Sequence, residues 1–174
     1  MRIRHAIADD ATALSALAER AFRNAFAADN SPEDVDAYVR EAFSVERVRN
    51  ELANAGNMFL LACTTAGDLA GYAKLHSGTA DDSISGPHPI EIARLYADPD
   101  RIGRGIGAAL MRACLDEAAA RGYRTIWLGV WVRNARAISF YERWRFHTVG
   151  SHPFMLGSDE QTDLIMERPV DLRL

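Results

Sequence analysis

The spacing of apolar residues changes period repeatedly along the chain, and each change marks an element. Ile3 to Ala6 alternates as a strand does, and Leu14, Leu17, Ala18, Ala21, Phe22 and Ala25 then recur at helical spacing behind Asp9, which is read as the cap. Ser31-Pro32-Glu33-Asp34 predicts a second helix: a hydroxyl cap, proline at the first helical position, and carboxylates where the helix dipole favours them. A third helix carries Val45, Val48 and Leu52 from Ser44 and stops at Gly56. Strands Met58 to Thr65 and Leu69 to Ser77 flank Ala66-Gly67-Asp68, the turn of an antiparallel hairpin. A loop rich in Gly, Ser, Asp and Pro runs from Gly78 to Pro89.

Beyond that loop the order is strand Ile90 to Ala97, helix Gly107 to Arg121 ended by Gly122, and strand Thr125 to Val130, which is a βαβ unit. A helix from Asn134 to Trp144 and two strands, His147 to His152 and Asp163 to Glu167, complete the pattern. The expectation is an α/β fold with a mixed, largely antiparallel sheet of about seven strands and helices on both faces, as one domain over 1–174.

Composition narrows the classes. With 174 residues, 48% hydrophobic and 25% charged, the chain is long enough to close a core. Its longest apolar run, Met58 to Cys63, is far short of the roughly 20 residues a membrane span needs. Met1-Arg2-Ile3-Arg4-His5 leads straight into a strand with no apolar leader, so a cytoplasmic location and no membrane partner are expected. Cys63 and Cys114 each sit in an apolar stretch and read as reduced core residues. The five histidines show no ligand spacing, so no metal is expected. A net charge of -4 with dispersed Lys and Arg argues against a nucleic-acid partner and suits a cationic substrate.

The segment Asp98 to Gly107 stands between a strand and a helix, where free backbone N–H groups and the helix dipole can hold a phosphate. Gly103, Gly105 and Gly107 let the main chain approach an anion closely, and Arg101 and Arg104 add charge. A plain tight strand-to-helix turn is the structural alternative. Gly103-x-Gly105-x-x-Ala108 also fits the dinucleotide fingerprint, yet Val130-Trp131-Val132-Arg133 stands where the ribose-binding carboxylate belongs. The Walker pattern fails too, since no Gly-Lys-Ser/Thr follows.

Leu95-Tyr96-Ala97 through Arg104-Gly105-Ile106-Gly107-Ala108-Ala109-Leu110, followed by Asn134-Ala135-Arg136-Ala137-Ile138-Ser139-Phe140-Tyr141, resembles the acetyl-CoA signature of the GNAT N-acetyltransferases. Ile102 stands where that pattern often has Gln or Arg, which leaves the diphosphate to backbone N–H groups and to Arg101 or Arg104. Over essentially the whole chain the sequence is similar to the PaiA-type subfamily, associated with spermidine and spermine acetylation. Trp127 to Trp131, Gly150 to Gly157, Asp159 to Asp163 and the Phe22, Phe26, Ser31-Pro32, Tyr38 series carry that likeness. Arg145 precedes Phe146 where the subfamily usually has Gly, a departure that bears on a turn and not on the cofactor site.

The resemblance implies acetyl-CoA as cosubstrate, a small-molecule primary amine, with a polyamine first, as acceptor, and compatibility with a homodimer. An alkylammonium of pKa near 10.4 is neutral in only about one molecule in a thousand near pH 7.4, a deficit of roughly 4 kcal/mol, so a base is needed. Glu91 is the candidate, acting directly or through water; by strict alternation it shares a face with Ala93, Leu95 and Ala97, whose apolar character would raise its pKa. A solvated strand-end charge is the alternative. In the resembled family Leu95, Tyr96 and Ala97 lie on a bulged strand whose main chain pairs with the pantetheine arm. Asn134 is implied as a pantetheine contact, beside Ala137, and Tyr141 as the acid that protonates the leaving thiolate. Ala137, Phe140, Tyr141 and Trp144 also fit a buried helical stripe.

His152 reads as an exposed polar residue beside a strand, with substrate contact as the alternative, and His88 as a shaper of its loop. Asp81, Asp82, Glu33, Asp34 and Asp36 read as solvated charge or as attraction for a polycation. Acetyl transfer to an amino-acid-like compound, an amine antibiotic or a protein amino group, a non-catalytic acyl-CoA sensor, and a dinucleotide oxidoreductase are the competing functions.

Overall fold

The computed structural model of the chain describes residues 1–171. Seven strands form one open sheet in the order β1-β2-β3-β4-β5-β7-β6. These are β1 (Arg2–His5), β2 (Asn57–Cys63), β3 (Leu69–His76), β4 (Pro89–Ala97), β5 (Thr125–Trp131), β6 (His147–Leu156) and β7 (Asp159–Pro169). All neighbours are antiparallel except β4 and β5, which run parallel through Pro89–Glu91 against Thr125–Trp127. The helices are α1 (Ala11–Phe26), α2 (Pro32–Ala42), α3 (Val45–Ala53), α4 (Ile106–Ala120) and α5 (Ala135–Arg143).

Both faces of the sheet are covered, which is why β2 is apolar without a break: Met58, Leu60 and Ala62 pack under α4, while Phe59, Leu61 and Cys63 pack under α1 to α3. α1 and α4 thus bury opposite faces of the same strands. The expected N-terminal cap is displaced by one residue and one job. A 3-10 turn at Ala8–Asp10 precedes α1, and Asp10, not Asp9, ties the entry: its carboxylate accepts from Ile7 N at 2.8 Å and from both terminal nitrogens of Arg4 at 2.7 Å. Ser31 and Ser44 cap α2 and α3 as expected, accepting from Asp34 N and Arg47 N.

β6 and β7 are longer than the periodicity suggests and meet in a hairpin at Gly157-Ser158. Its tip is clamped to α2, with Ser158 N donating to Asp34 Oδ1 at 2.7 Å. Gln161 likewise donates to Asn30 at the α1–α2 turn.

The largest departure from strict alternation lies in β4. Ile92 pairs with Leu75 and Arg94 with Lys74, so Ala93 is an extra residue, a β-bulge. Ile90 and Ile92 face α4, and beyond the bulge Leu95 and Ala97 face α4 while Tyr96 turns toward α1 to α3. Glu91 therefore lies on the face of Arg94 and Tyr96, not on that of Leu95 and Ala97. Strict alternation fails here because one inserted residue reverses every later side chain.

Candidate active site

The pairing of β4 with β5 ends at Glu91 and Trp127, whereas β5 continues with β7 as far as Trp131. The two parallel strands then diverge, and the β5-facing backbone edge of β4 from Ile92 to Ala97 is left without a strand partner. A cavity of about 590 Å³ occupies this split. Its two ends are built differently.

One end is made by main chain. Gly103 and Gly105 have φ of +83° and +78°, a left-handed conformation that side chains disfavour, and no atom lies within 4 Å of where a Cβ would stand. Gly105 caps α4, whose first main-chain bond runs from Ala109 N to Gly105 O, so the N–H groups of Ile106, Gly107 and Ala108 have no intrahelical acceptor. The first turn carries no acidic residue. Gly71 lets α4 lie this close to the sheet: a Cβ there would fall 2.6 Å from Ile106 Cγ2 and 2.8 Å from Tyr96 O. A helix start with free donors, no opposing carboxylate and open space above suits a diphosphate.

Of the residues expected at the cofactor, Leu95, Tyr96, Ala97, Arg101, Ile102 and Gly103 line the cavity, as do Gly105, Ile106, Gly107, Asn134, Ala137 and Tyr141. Arg104 is exposed and outside that lining. Arg101 lines it while held by Asp68 at 3.5 Å and Asp98 at 3.8 Å. Arg136 and Arg143 of α5, which no motif singles out, bring further positive charge to this end. Asn134 Oδ1 accepts from Ala137 N at 3.1 Å as the cap of α5, which leaves its amide N–H₂ to donate. Tyr141 is 9% exposed, and burial holds its phenol well above the ordinary range, protonated across the physiological span. Tyr141 packs in the α4-side core and also borders the cavity.

The other end is made by side chains. Phe22, Phe26, Tyr38, Phe43, Phe154 and Trp131 supply aromatic walls, with Phe22 stacked on Tyr38 at 4.5 Å between ring centres and Phe26 tilted against Trp131 at 5.7 Å. Two charged residues enter this chamber. Arg94 lies 4.9 Å over the Phe43 ring and donates to both oxygens of Glu51, at 2.7 and 3.2 Å. Lys74 also reaches Glu51, at 3.1 Å, and burial lowers its pKa. The other is Asp163, whose pKa is pushed up to about 6 by burial, against a smaller opposing pull from His152. Its Oδ1 is buried with no hydrogen-bond partner, and Oδ2 lies 3.3 Å from where a Gly129 Cβ would stand.

Glu91 is not part of the cavity lining. Burial raises its pKa, while His76, Lys74, His152 and Arg94 pull it down. Cys114, fully buried in the α4 core, has its thiol pushed up to about 12 by burial and is no nucleophile near neutrality.

The family description "Acetyltransferase (GNAT) family" matches residues 13–146, a span that contains the bulge, the glycine turn and α5. The chain belongs to the GNAT acetyltransferase family. It is 30% identical over 153 residues to an N-acetyltransferase of Lactobacillus delbrueckii subsp. lactis, covering 88% of each chain. To an N-acetyltransferase of Mycobacterium tuberculosis it is 34% identical over 159 residues, covering 91% of this chain and 97% of the other. The PaiA N-acetyltransferase from Thermoplasma acidophilum in complex with coenzyme A shares the fold with a TM-score of 0.80 at 24% identity, over 97% of this chain and 98% of that one. The GNAT chain is thus an acetyl-CoA-dependent N-acyltransferase, and the dinucleotide oxidoreductase reading falls with the mixed sheet.

The sequence pattern passes over Phe43, Arg94 and Arg143, while Phe22, Phe26, Tyr38, Trp131, Arg136, Phe154 and Asp163 fall within stretches that carry the family likeness but receive no role in the site. A signal for Asp163 does exist: it alternates with Ile165 and Glu167 across a strand whose Ile165 is fully buried, so one face of β7 carries carboxylates inward.

Proposed function

We propose that this acetyltransferase moves the acetyl group of acetyl-CoA to a primary alkylamine by direct attack within a ternary complex, with a polyamine such as spermidine as the first acceptor to test. The observation that carries the reading is the opposite chemistry of the two cavity ends, free N–H groups for an anion and aromatic rings with a carboxylate for a cation. Outside the chamber Asp29 in the α1–α2 turn, Glu33 at the start of α2, and Asp159 and Glu160 in the β6–β7 hairpin are acidic residues that would hold the remaining charges of an extended polycation.

In this mechanism the cofactor's diphosphate rests on the amides of Gly103 to Ala108. The pantetheine arm pairs with the open edge of β4 at Leu95 to Ala97 and accepts from Asn134 Nδ2. The freed N–H groups of that edge face the thioester oxygen, where charge develops. Tyr141, kept protonated by burial, donates to the departing thiolate. Glu91, outside the lining, does not meet the amine; its carboxylate acts at one remove, favouring the protonated form of the His152 imidazole.

A protein amino terminus is the second acceptor class, since a ribosomal-protein-S18-alanine N-acetyltransferase from Escherichia coli shares the fold with a TM-score of 0.70 at 21% identity. The clamp of the β6–β7 hairpin on α2 favours a small amine over a protein tail. A thiol-release assay with acetyl-CoA against polyamines, monoamines, amino acids, aminoglycosides and N-terminal peptides decides among these. Release with small primary amines is expected; release with peptides alone would overturn the small-amine assignment, and no release with any amine would overturn the enzyme reading.

A further inference from the structure

We propose that Asp163 is the residue that receives the acceptor's ammonium group, and that His152, held by Asp81, carries the released proton from Asp163 to solvent. This rests on the acetyltransferase reading above and adds to it the identity of the group that meets the amine.

The geometry begins with Gly129. It lies on β5 beyond the point where β4 turns away, and without a side chain there two others lean over the bare backbone. Asp163 Oδ2 comes within 3.3 Å and His152 Nε2 within 3.5 Å of the point a Cβ would occupy. Asp163 and His152 are cross-strand partners of β7 and β6. Toward the cavity Asp163 faces the aromatic chamber, and among the described residues it is the only carboxylate in that lining. Away from it, His152 Nδ1 lies 3.0 Å from Asp81 Oδ2, and the His152 side chain is 37% exposed. A carboxylate at Asp81 fixes the tautomer with hydrogen on Nδ1, which leaves Nε2 as the proton acceptor on the Asp163 side. Asp81 is itself held, accepting from Ser83 N at 2.9 Å and Ser83 Oγ at 2.6 Å.

A buried carboxylate oxygen without a partner is costly and calls for a cation. Among the described residues Arg94 is the only cation at this end of the lining, and it is committed to Glu51, which leaves Asp163 unanswered by it. An alkylammonium seated among Phe22, Tyr38 and Phe154 would present its N–H bonds to that oxygen and its methylenes to the rings. The ammonium passes one proton to the Asp163 carboxylate, which hands it through His152 Nε2, directly or by a water, to bulk solvent. The neutral nitrogen forms the N–C bond, the C–S bond breaks, and the nitrogen's second proton ends on the coenzyme A sulfur by way of Tyr141. One proton is released per turnover.

Three groups set the pH response of the Asp163–His152 pair: Asp81 from the loop before β4, Glu91 from β4 and Tyr38 from α2. Glu91 and Asp163 both interact with His152, so its imidazolium is stabilised from two sides while the proton is in transit.

The test combines binding and turnover. Calorimetric titration of spermidine into protein saturated with coenzyme A should show at least about thirtyfold weaker binding in Asp163→Asn than in wild type, with coenzyme A affinity unchanged as the control for folding. His152→Gln should leave the amine KM within about threefold while lowering kcat about tenfold or more and shifting the acidic limb of the kcat profile. Glu91→Gln should slow turnover without loss of amine binding. Spermidine affinity and acidic limb both unchanged in Asp163→Asn would overturn the inference while wild-type turnover upholds the enzyme. The inference falls equally if Glu91→Gln, and not Asp163→Asn, abolishes amine binding. Wild type that neither binds spermidine nor releases thiol with any amine would overturn both.

Discussion

The two ends of one cavity hold opposite charges by opposite means. At the cofactor end the donors are main-chain N–H groups placed by Gly103, Gly105 and the start of α4, all within one short stretch of sequence. At the acceptor end Phe22, Tyr38, Arg94, Trp131, Phe154 and Asp163 arrive from six elements, and a side chain carries the charge. A backbone site depends on local conformation and tolerates many side chains; a side-chain site depends on how the whole sheet is assembled. Variants at the two ends should therefore fail differently.

The largest effect should fall where the ends meet. Tyr141→Phe removes only a hydroxyl and should lower kcat by about 10² to 10³ with coenzyme A affinity unchanged in titration. Loss of affinity instead would return Tyr141 to the buried stripe of α5 alone.

Next comes a stability effect of opposite sign to the activity effect. Asp163 has its carboxyl raised from 3.8 to about 6, so the folded state binds this proton more tightly than the unfolded chain does. The stability this gives relative to an always-ionised carboxylate is fully present below the unfolded pKa and is lost as pH rises through about 6, where the buried carboxylate becomes charged. Asp163→Asn should accordingly raise the thermal midpoint of the ligand-free protein at about pH 7 to 8, with the gain vanishing near pH 4. Lower stability at the alkaline end would mean that the carboxylate already has a partner within the fold.

The glycine turn should respond more weakly. Gly105→Ala places a Cβ in open space, so its cost is conformational: about 1 to 2 kcal/mol of left-handed strain, seen as about tenfold weaker coenzyme A binding with amine KM unchanged. The smallest effect belongs to neither end. Arg145, at φ +66°, holds a left-handed position after α5 with an arginine. Arg145→Gly should stabilise the chain by about 1 kcal/mol in denaturant titration without touching activity.

What can be read from the sequence follows the same division. The seven strands, the βαβ unit and the glycine turn depend on periods and on local conformational demands, and all are present in the expected order, with β6 and β7 longer than the pattern puts them. Strict alternation misplaces Glu91 relative to Leu95 because it cannot see Ala93 inserted in β4. Asp10 takes the place of Asp9 because the cap is decided by Arg4 across the strand, not by distance from the first apolar residue. Asp163 and His152 gain meaning only from Gly129 between them, a neighbour on another strand. Local rules carry the cofactor end; the acceptor end needs the register of β5, β6 and β7.

Both ends matter only if the amides from Gly103 to Ala108 hold coenzyme A and aim its thioester into the split between β4 and β5. Calorimetric titration of coenzyme A into the folded chain addresses this without any acceptor present. Saturable one-to-one binding that Gly105→Ala weakens about tenfold is expected; a folded protein that takes up no coenzyme A would overturn it.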